Sequence, residues 1–104
     1  MSLTPEQLRA IPRWAKTTQY VAEVRLFGSK ASGDATEKSD IDLAITIGAE
    51  NPGTVRGIYI ARSQRWQKEL TEQLGAKVRI SLYDDPNSDV VRQACQKFSV
   101  VLFP

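Results

Sequence analysis

Hydrophobic and polar positions along the chain follow two periods, and the changes from one to the other divide it into elements. In VAEVRLFG, residues 21–28, Ala22, Val24 and Leu26 alternate with Glu23, Arg25 and Phe27, the period of two that marks a half-buried strand, ending here at Gly28. DIDLAITIG, residues 40–48, alternates more sharply: Ile41, Leu43, Ile45 and Ile47 share one face, and Asp40, Asp42, Ala44 and Thr46 share the other. AKVRISLYDD sets Val78, Ile80 and Leu82 against Arg79, Ser81 and Tyr83, a third strand closed by turn residues over 84–88. Between the second and third strands the period changes. Val55, Ile58, Tyr59, Arg62, Trp66, Leu70 and Leu74 recur every three or four residues, which predicts one long helix with an Asn-Pro-Gly turn before it and Gly75 as its C-cap.

The two ends of the chain read as shorter elements. Thr4 can cap a helix that has Pro5 at its first position and Glu6 and Gln7 in its first turn, while Pro12 predicts that this helix breaks or restarts. SDVVRQACQKF carries a cap and an apolar stripe, and SVVLFP reads as a short terminal strand or an exposed apolar edge. The resulting order is α-β-α-β-α-β-α-β, an α+β chain without repeats, linkers or low-complexity segments. A chain of 104 residues has room for one hydrophobic core, so residues 1–104 are read as a single domain.

Composition narrows the chemistry. The chain has no histidine, which removes Ser-His-Asp and Cys-His catalysis and the zinc motifs that need imidazole. Cys95, the single cysteine, has no partner for an internal disulfide and no base to activate it, and reads as a core residue. A formal charge of +2 with scattered basic residues gives no nucleic-acid footprint. Trp14 and Trp66 fit packing on helices better than base stacking, and Tyr59 and Arg62 fit core and surface roles. With 41% apolar residues, no run long enough to span a bilayer and no signal-peptide order at the N-terminus, the sequence predicts a cytoplasmic protein away from membranes.

The candidate chemistry lies in GSKASGDATEKSDIDLA, residues 28–44. Strand residues rise about 3.3 Å each, so Asp40 and Asp42 stand roughly 6–7 Å apart and point the same way. Two carboxylates on a rigid element, leaving other positions to water and phosphate, suit Mg²⁺ at a nucleotide site. Gly28 lets the backbone approach a ligand closely, and Ser29 offers a hydroxyl and an N–H to phosphate oxygens. No Gly-Lys-Ser/Thr follows, so this is not a P-loop. Taken singly, these residues read as ordinary turn chemistry. Gly-Ser after an apolar strand, ten residues, then Asp-x-Asp entering a second strand is a far more demanding combination.

The run LFGSKASGDATEKSDIDLAI resembles the signature of the DNA polymerase β-like nucleotidyltransferase superfamily. The size and layout of the whole chain look most like the minimal nucleotidyltransferases (MNT) within it. The resemblance implies the nucleotidyltransferase fold, a small mixed sheet backed by helices with the site on the open face. It also implies transfer of AMP from ATP to a hydroxyl of a protein or small molecule. On that template Gly28 and Ser29 contact the triphosphate, and Asp40 and Asp42 are the catalytic ligands of Mg²⁺, or of Mn²⁺ in its place. Lys30 partly replaces an arginine that family loops often carry where Ser32 stands. Association with a HEPN-domain toxin, as the antitoxin of such a pair, or with a second copy is implied as well.

One position departs from the template. Family strands that read like KVDLV correspond here to KVRIS, so Arg79 stands where a third carboxylate is expected. An arginine cannot ligate a cation. Asp85 has the right parity but lies about 20 Å along the strand. Three readings stay open: Arg79 binds the nucleotide by neutralising triphosphate charge, it pairs with Asp40 or Asp42 and inactivates the site, or Glu23 supplies the missing acid. The alternative to an enzyme is therefore a catalytically impaired binding module or nucleotide sensor on the same fold.

Overall fold

The computed structural model of the protein describes residues 3–33, 39–85 and 88–104. Along the chain run α1 (Pro5–Thr17), β1 (Val21–Phe27), α2 (Ser29–Ser32), β2 (Ile41–Ile47), α3 (Pro52–Leu74), β3 (Val78–Leu82), α4 (Val90–Lys97) and β4 (Ser99–Phe103). The expected order of elements is the observed one. Of the turn expected over 84–88, Pro86 and Asn87 lie outside the described residues.

The strands form one four-stranded sheet in the order β3-β2-β1-β4. β1 pairs antiparallel with both β2 and β4, whereas β2 and β3 are parallel and joined by α3. This is the mixed sheet that the resemblance implies. SVVLFP supplies the edge strand β4, with Val101 exposed.

The inward faces of the strands and the apolar sides of α1 and α3 build the core. Ile41, Leu43 and Ile45 of β2 and Val24 and Leu26 of β1 are buried against Ile11, Trp14, Trp66 and Leu70. Trp14 and Trp66 meet edge to face with centroids 6.1 Å apart, and the Trp14 indole N–H donates to Glu69 Oε1 at 3.3 Å. The tryptophans therefore serve packing, as the sequence indicates. A smaller contact is made by α4, which touches β1 and β4 and whose buried Cys95 lies outside the core built with α1 and α3.

Two expectations fail, each for a local reason. α1 runs unbroken through Pro12. Pro12 has the helical φ built in and costs one backbone hydrogen bond, while burial of Ile11, Trp14 and Ala15 holds both halves of the helix to the core. Ala22, expected on the buried face of β1, is exposed. The register slips between Val21 and Glu23, so Ala22 is the extra residue of a β-bulge, and Val21 is buried in its stead. Two of the expected caps form, whereas Asp89 at the start of α4 makes no side-chain cap bond and Ser88 Oγ accepts from the Val90 amide at 3.3 Å instead. Thr4 closes a reciprocal capping box with Gln7, and Gly75 ends α3 in the left-handed conformation.

Among the described residues no helix is long and apolar enough to cross a membrane. Trp66→Ala removes the largest fully buried side chain and is expected to cost about 3–5 kcal/mol in urea-induced unfolding, with Trp14 losing its ring contact.

Candidate functional site

The face of the sheet turned away from α1 and α3 carries the polar strand residues, and the registers align them in rows. β1 pairs Phe27 with Asp42, β2 pairs Asp42 with Arg79, and β4 pairs Ser99 with Phe27, so Arg79, Asp42, Phe27 and Ser99 form one row. Strand parity thus sets Arg79 beside Asp42, as the alternation in KVRIS predicts. Asp40 precedes β2 by one residue and reaches the same guanidinium: Arg79 Nη1 is 3.9 Å from Asp40 Oδ2, and Arg79 Nε is 3.9 Å from Asp42 Oδ1. Lys77 Nζ stands 3.9 Å from Asp40 Oδ2 as well. The sequence reading missed Lys77, although the parallel register, continued one residue back from Ile41 and Val78, places it next to Asp40.

These ion pairs are loose. The Arg79 side chain is 66% exposed, no contact it makes to the aspartates reaches hydrogen-bond length, and such screened pairs contribute about 1 kcal/mol or less. A bidentate clamp would be shorter and stronger. Arg79 therefore balances the two carboxylates without sealing them. Asp40 and Asp42 are each only about a quarter exposed. Burial pushes the Asp42 carboxyl above its ordinary range; the Arg79 guanidinium pulls it down and the neighbouring Asp40 carboxylate pushes it up.

Gly28 makes the arrangement sterically feasible. Its backbone has φ 73° and ψ −158°, a region open to glycine alone, and a β-carbon there would lie 2.7 Å from Asp42 Oδ2. The chain turns at this residue into the single turn of α2. The amides of Ala31 and Ser32 both donate to the Gly28 carbonyl, and Ser29 and Lys30 lead that turn. A cleft of about 490 Å³ opens from Gly28 and Ser32 toward Ala94, Lys97 and Phe98 of the α4 region.

Glu23 does not complete the site. It pairs opposite Thr46, four residues up β1 from Phe27 and so roughly 13 Å from the Asp42 row. Its carboxylate accepts from Arg25 Nε at 2.6 Å, and the Arg25 guanidinium also lies over the Tyr83 ring. Asp85 pairs with Arg56 at 3.5 Å. Among the described residues no group of three acidic, Cys or His side chains could hold a metal ion. The donor set is thus two hard carboxylate oxygens, which fits one oxygen-liking divalent cation with its other positions filled by phosphate and water. Tyr59 donates to the Ile80 carbonyl, Arg62 lies over Tyr20, and burial pushes the Cys95 thiol up, all consistent with structural roles.

The model of the nucleotidyltransferase domain matches residues 8–101, nearly the whole chain. The chain belongs to the nucleotidyltransferase domain family. Two similar solved structures share its fold. One is a toxin-antitoxin with AMP-PNP, 20% identical with a TM-score of 0.70, the match covering 92% of this chain and 72% of that one. The other is a toxin-antitoxin MntA-HpeT mutant carrying two Asp-to-Glu changes, 18% identical with a TM-score of 0.69 and the same coverage. No curated protein matches the sequence. In this nucleotidyltransferase domain the fold brings together Gly28, Ser29, Asp40, Asp42 and Arg79, all singled out from sequence, with Lys30 on the next residue of the α2 turn.

Gly28→Ala is expected to lose about 1–3 kcal/mol of stability to backbone strain in urea unfolding and to displace the Asp42 carboxylate. Asp42 offers an opposite test. Its raised pKa means that the folded protein holds the proton more tightly than the unfolded chain. The contribution of Asp42 to stability is therefore fully present below the unfolded pKa and lost as pH rises through the folded one. Asparagine resembles the protonated form, so Asp42→Asn is expected to melt above the native protein near neutral pH. That advantage should shrink as the pH falls below the raised pKa.

Proposed function

We propose that this protein is a minimal nucleotidyltransferase that binds ATP with a divalent cation and transfers AMP to a hydroxyl group of a partner protein. The observation that carries this reading is the pair Asp40 and Asp42, held at the entrance of β2 within reach of one guanidinium, with Asp42 packed against Gly28. The MntA-HpeT mutant supports it, because its two substituted aspartates are also two positions apart. Asp40 and Asp42 would hold the cation, Mg²⁺ or Mn²⁺, which when bound neutralises phosphate charge. Gly28, Ser29 and Lys30 would receive the triphosphate at the start of α2, with Arg79 adding positive charge from the β3 side.

In the transfer, an acceptor oxygen forms a bond to the α-phosphorus while the bond from that phosphorus to the bridging α–β oxygen breaks. Pyrophosphate leaves, and the acceptor proton passes to water. No third carboxylate stands among the described residues to take that proton or to hold a second cation, and Arg79 occupies the position where one would act. Slow turnover follows from that replacement. The same residue favours a second reading, a module that binds nucleotide and caps a partner such as a HEPN-domain toxin without turnover.

One assay separates the two. Purified protein is incubated with α-labelled ATP, Mg²⁺ and a HEPN-domain protein as candidate acceptor, together with Asp42→Asn and Arg79→Asp variants. The enzyme reading expects label on the acceptor, a loss of about a hundredfold or more in Asp42→Asn, and a gain in Arg79→Asp. ATP binding without any label, in both the native protein and Arg79→Asp, would leave the binding module. Equal labelling by native protein and Asp42→Asn would refute the assignment of the site.

A further inference from the structure

We infer that the cleft between α2 and α4 is the nucleobase pocket of the donor, with Phe98 as its stacking platform; this rests on the nucleotide-binding reading above. The cleft adjoins the carboxylate site at Gly28, which lines the cleft and also packs against the Asp42 carboxylate. Phe98 immediately precedes Ser99, the strand partner of Phe27, and Phe27 precedes Gly28. A ligand whose phosphates lie at Gly28 and Ser29 therefore has the α4 wall beside it.

The wall has the chemistry of a base site. Val90 and Ala94 are four apart on one side of α4, and Phe98, the extended C-cap residue that follows the helix, lines the cleft with them, while Cys95 is buried. Val90 is 71% and Phe98 53% exposed. Gln93, with both donor and acceptor atoms on its amide, and Lys97, a cation suited to a polyanionic ligand, line the same cleft. A volume of about 490 Å³ lies in the range typical of small-ligand pockets. Bases of all kinds stack on aromatic rings, and the loss on truncating such a ring is large.

Titration calorimetry with two ligands tests this: Mg-ATP, and Mg-tripolyphosphate, which has the phosphates but no base. Phe98→Ala is expected to weaken ATP binding about tenfold or more and to leave tripolyphosphate binding unchanged, while Phe98→Tyr retains ATP binding. Asp42→Asn weakens both ligands. Should Phe98→Ala fold poorly, Ala94→Leu fills the cleft with a good helix former and is expected to show the same selective loss of ATP. ATP binding undiminished in Phe98→Ala or Ala94→Leu overturns the pocket and leaves the nucleotidyltransferase reading intact. So does an equal loss of both ligands in these variants. Native ATP binding combined with failure of Phe98→Ala to label the acceptor would give the cleft to the partner protein instead. Native protein that binds neither ligand overturns both readings.

Discussion

The contact between Gly28 and the Asp42 carboxylate is the constraint from which the candidate site follows. Antiparallel pairing brings the end of β1 against the start of β2, with Phe27 opposite Asp42. The next residue must turn the chain into α2 while leaving space for a carboxylate, and only a residue without a β-carbon can take φ 73° and ψ −158° there. Burial of Ile41, Leu43 and Ile45 then fixes β2 from below, so the aspartates stand on a rigid base. Precision at the site comes from the core beneath it, and the polar groups contribute little to holding themselves in place.

Charge is balanced at that site before any ligand arrives. Two carboxylates face one guanidinium and one ammonium, all at about ion-pair distance and none tightly bonded. Because Arg79 and Lys77 are mostly exposed, screening makes these pairs weak, and a divalent cation faces little attraction to overcome in displacing them. Desolvation is the stronger influence on Asp42, whose pKa rises in spite of the adjacent arginine. On the proposed reading, a cation and a polyphosphate arriving together would satisfy all four charged groups at once, the carboxylates through the cation and the two cations through phosphate oxygens. Farther along β1, Arg25 already engages both the Glu23 carboxylate and the Tyr83 ring.

Legibility in the sequence followed the strength of the period. β2 and β3 alternate strictly in sequence, and their parity alone puts Arg79 on the face of Asp42. β1 alternates less cleanly, because the bulge at Ala22 shifts its parity and hydrophobic pattern does not encode a bulge. Pro12 misled for a related reason: a local rule predicted a break, and burial of Ile11, Trp14 and Ala15 outweighed it. The motif residues were readable because Gly-Ser and Asp-x-Asp have fixed spacings. Lys77 and the α4 wall were not, since they join the site through a register and a helix placement that only tertiary structure supplies. The spacing of Val90 and Ala94 is visible in the sequence, but the strands that α4 contacts and the extended turn at Phe98 are not.

The most direct test of the account is electron paramagnetic resonance of Mn²⁺ in the presence of a non-hydrolysable ATP analogue, comparing the native chain with Asp42→Asn. Loss of the free Mn²⁺ signal beyond what the analogue alone removes, in the native protein and not in the variant, is what paired carboxylates at a nucleotide site require. Equal Mn²⁺ uptake by the two proteins, or none by either, would contradict a cation held between Asp40 and Asp42.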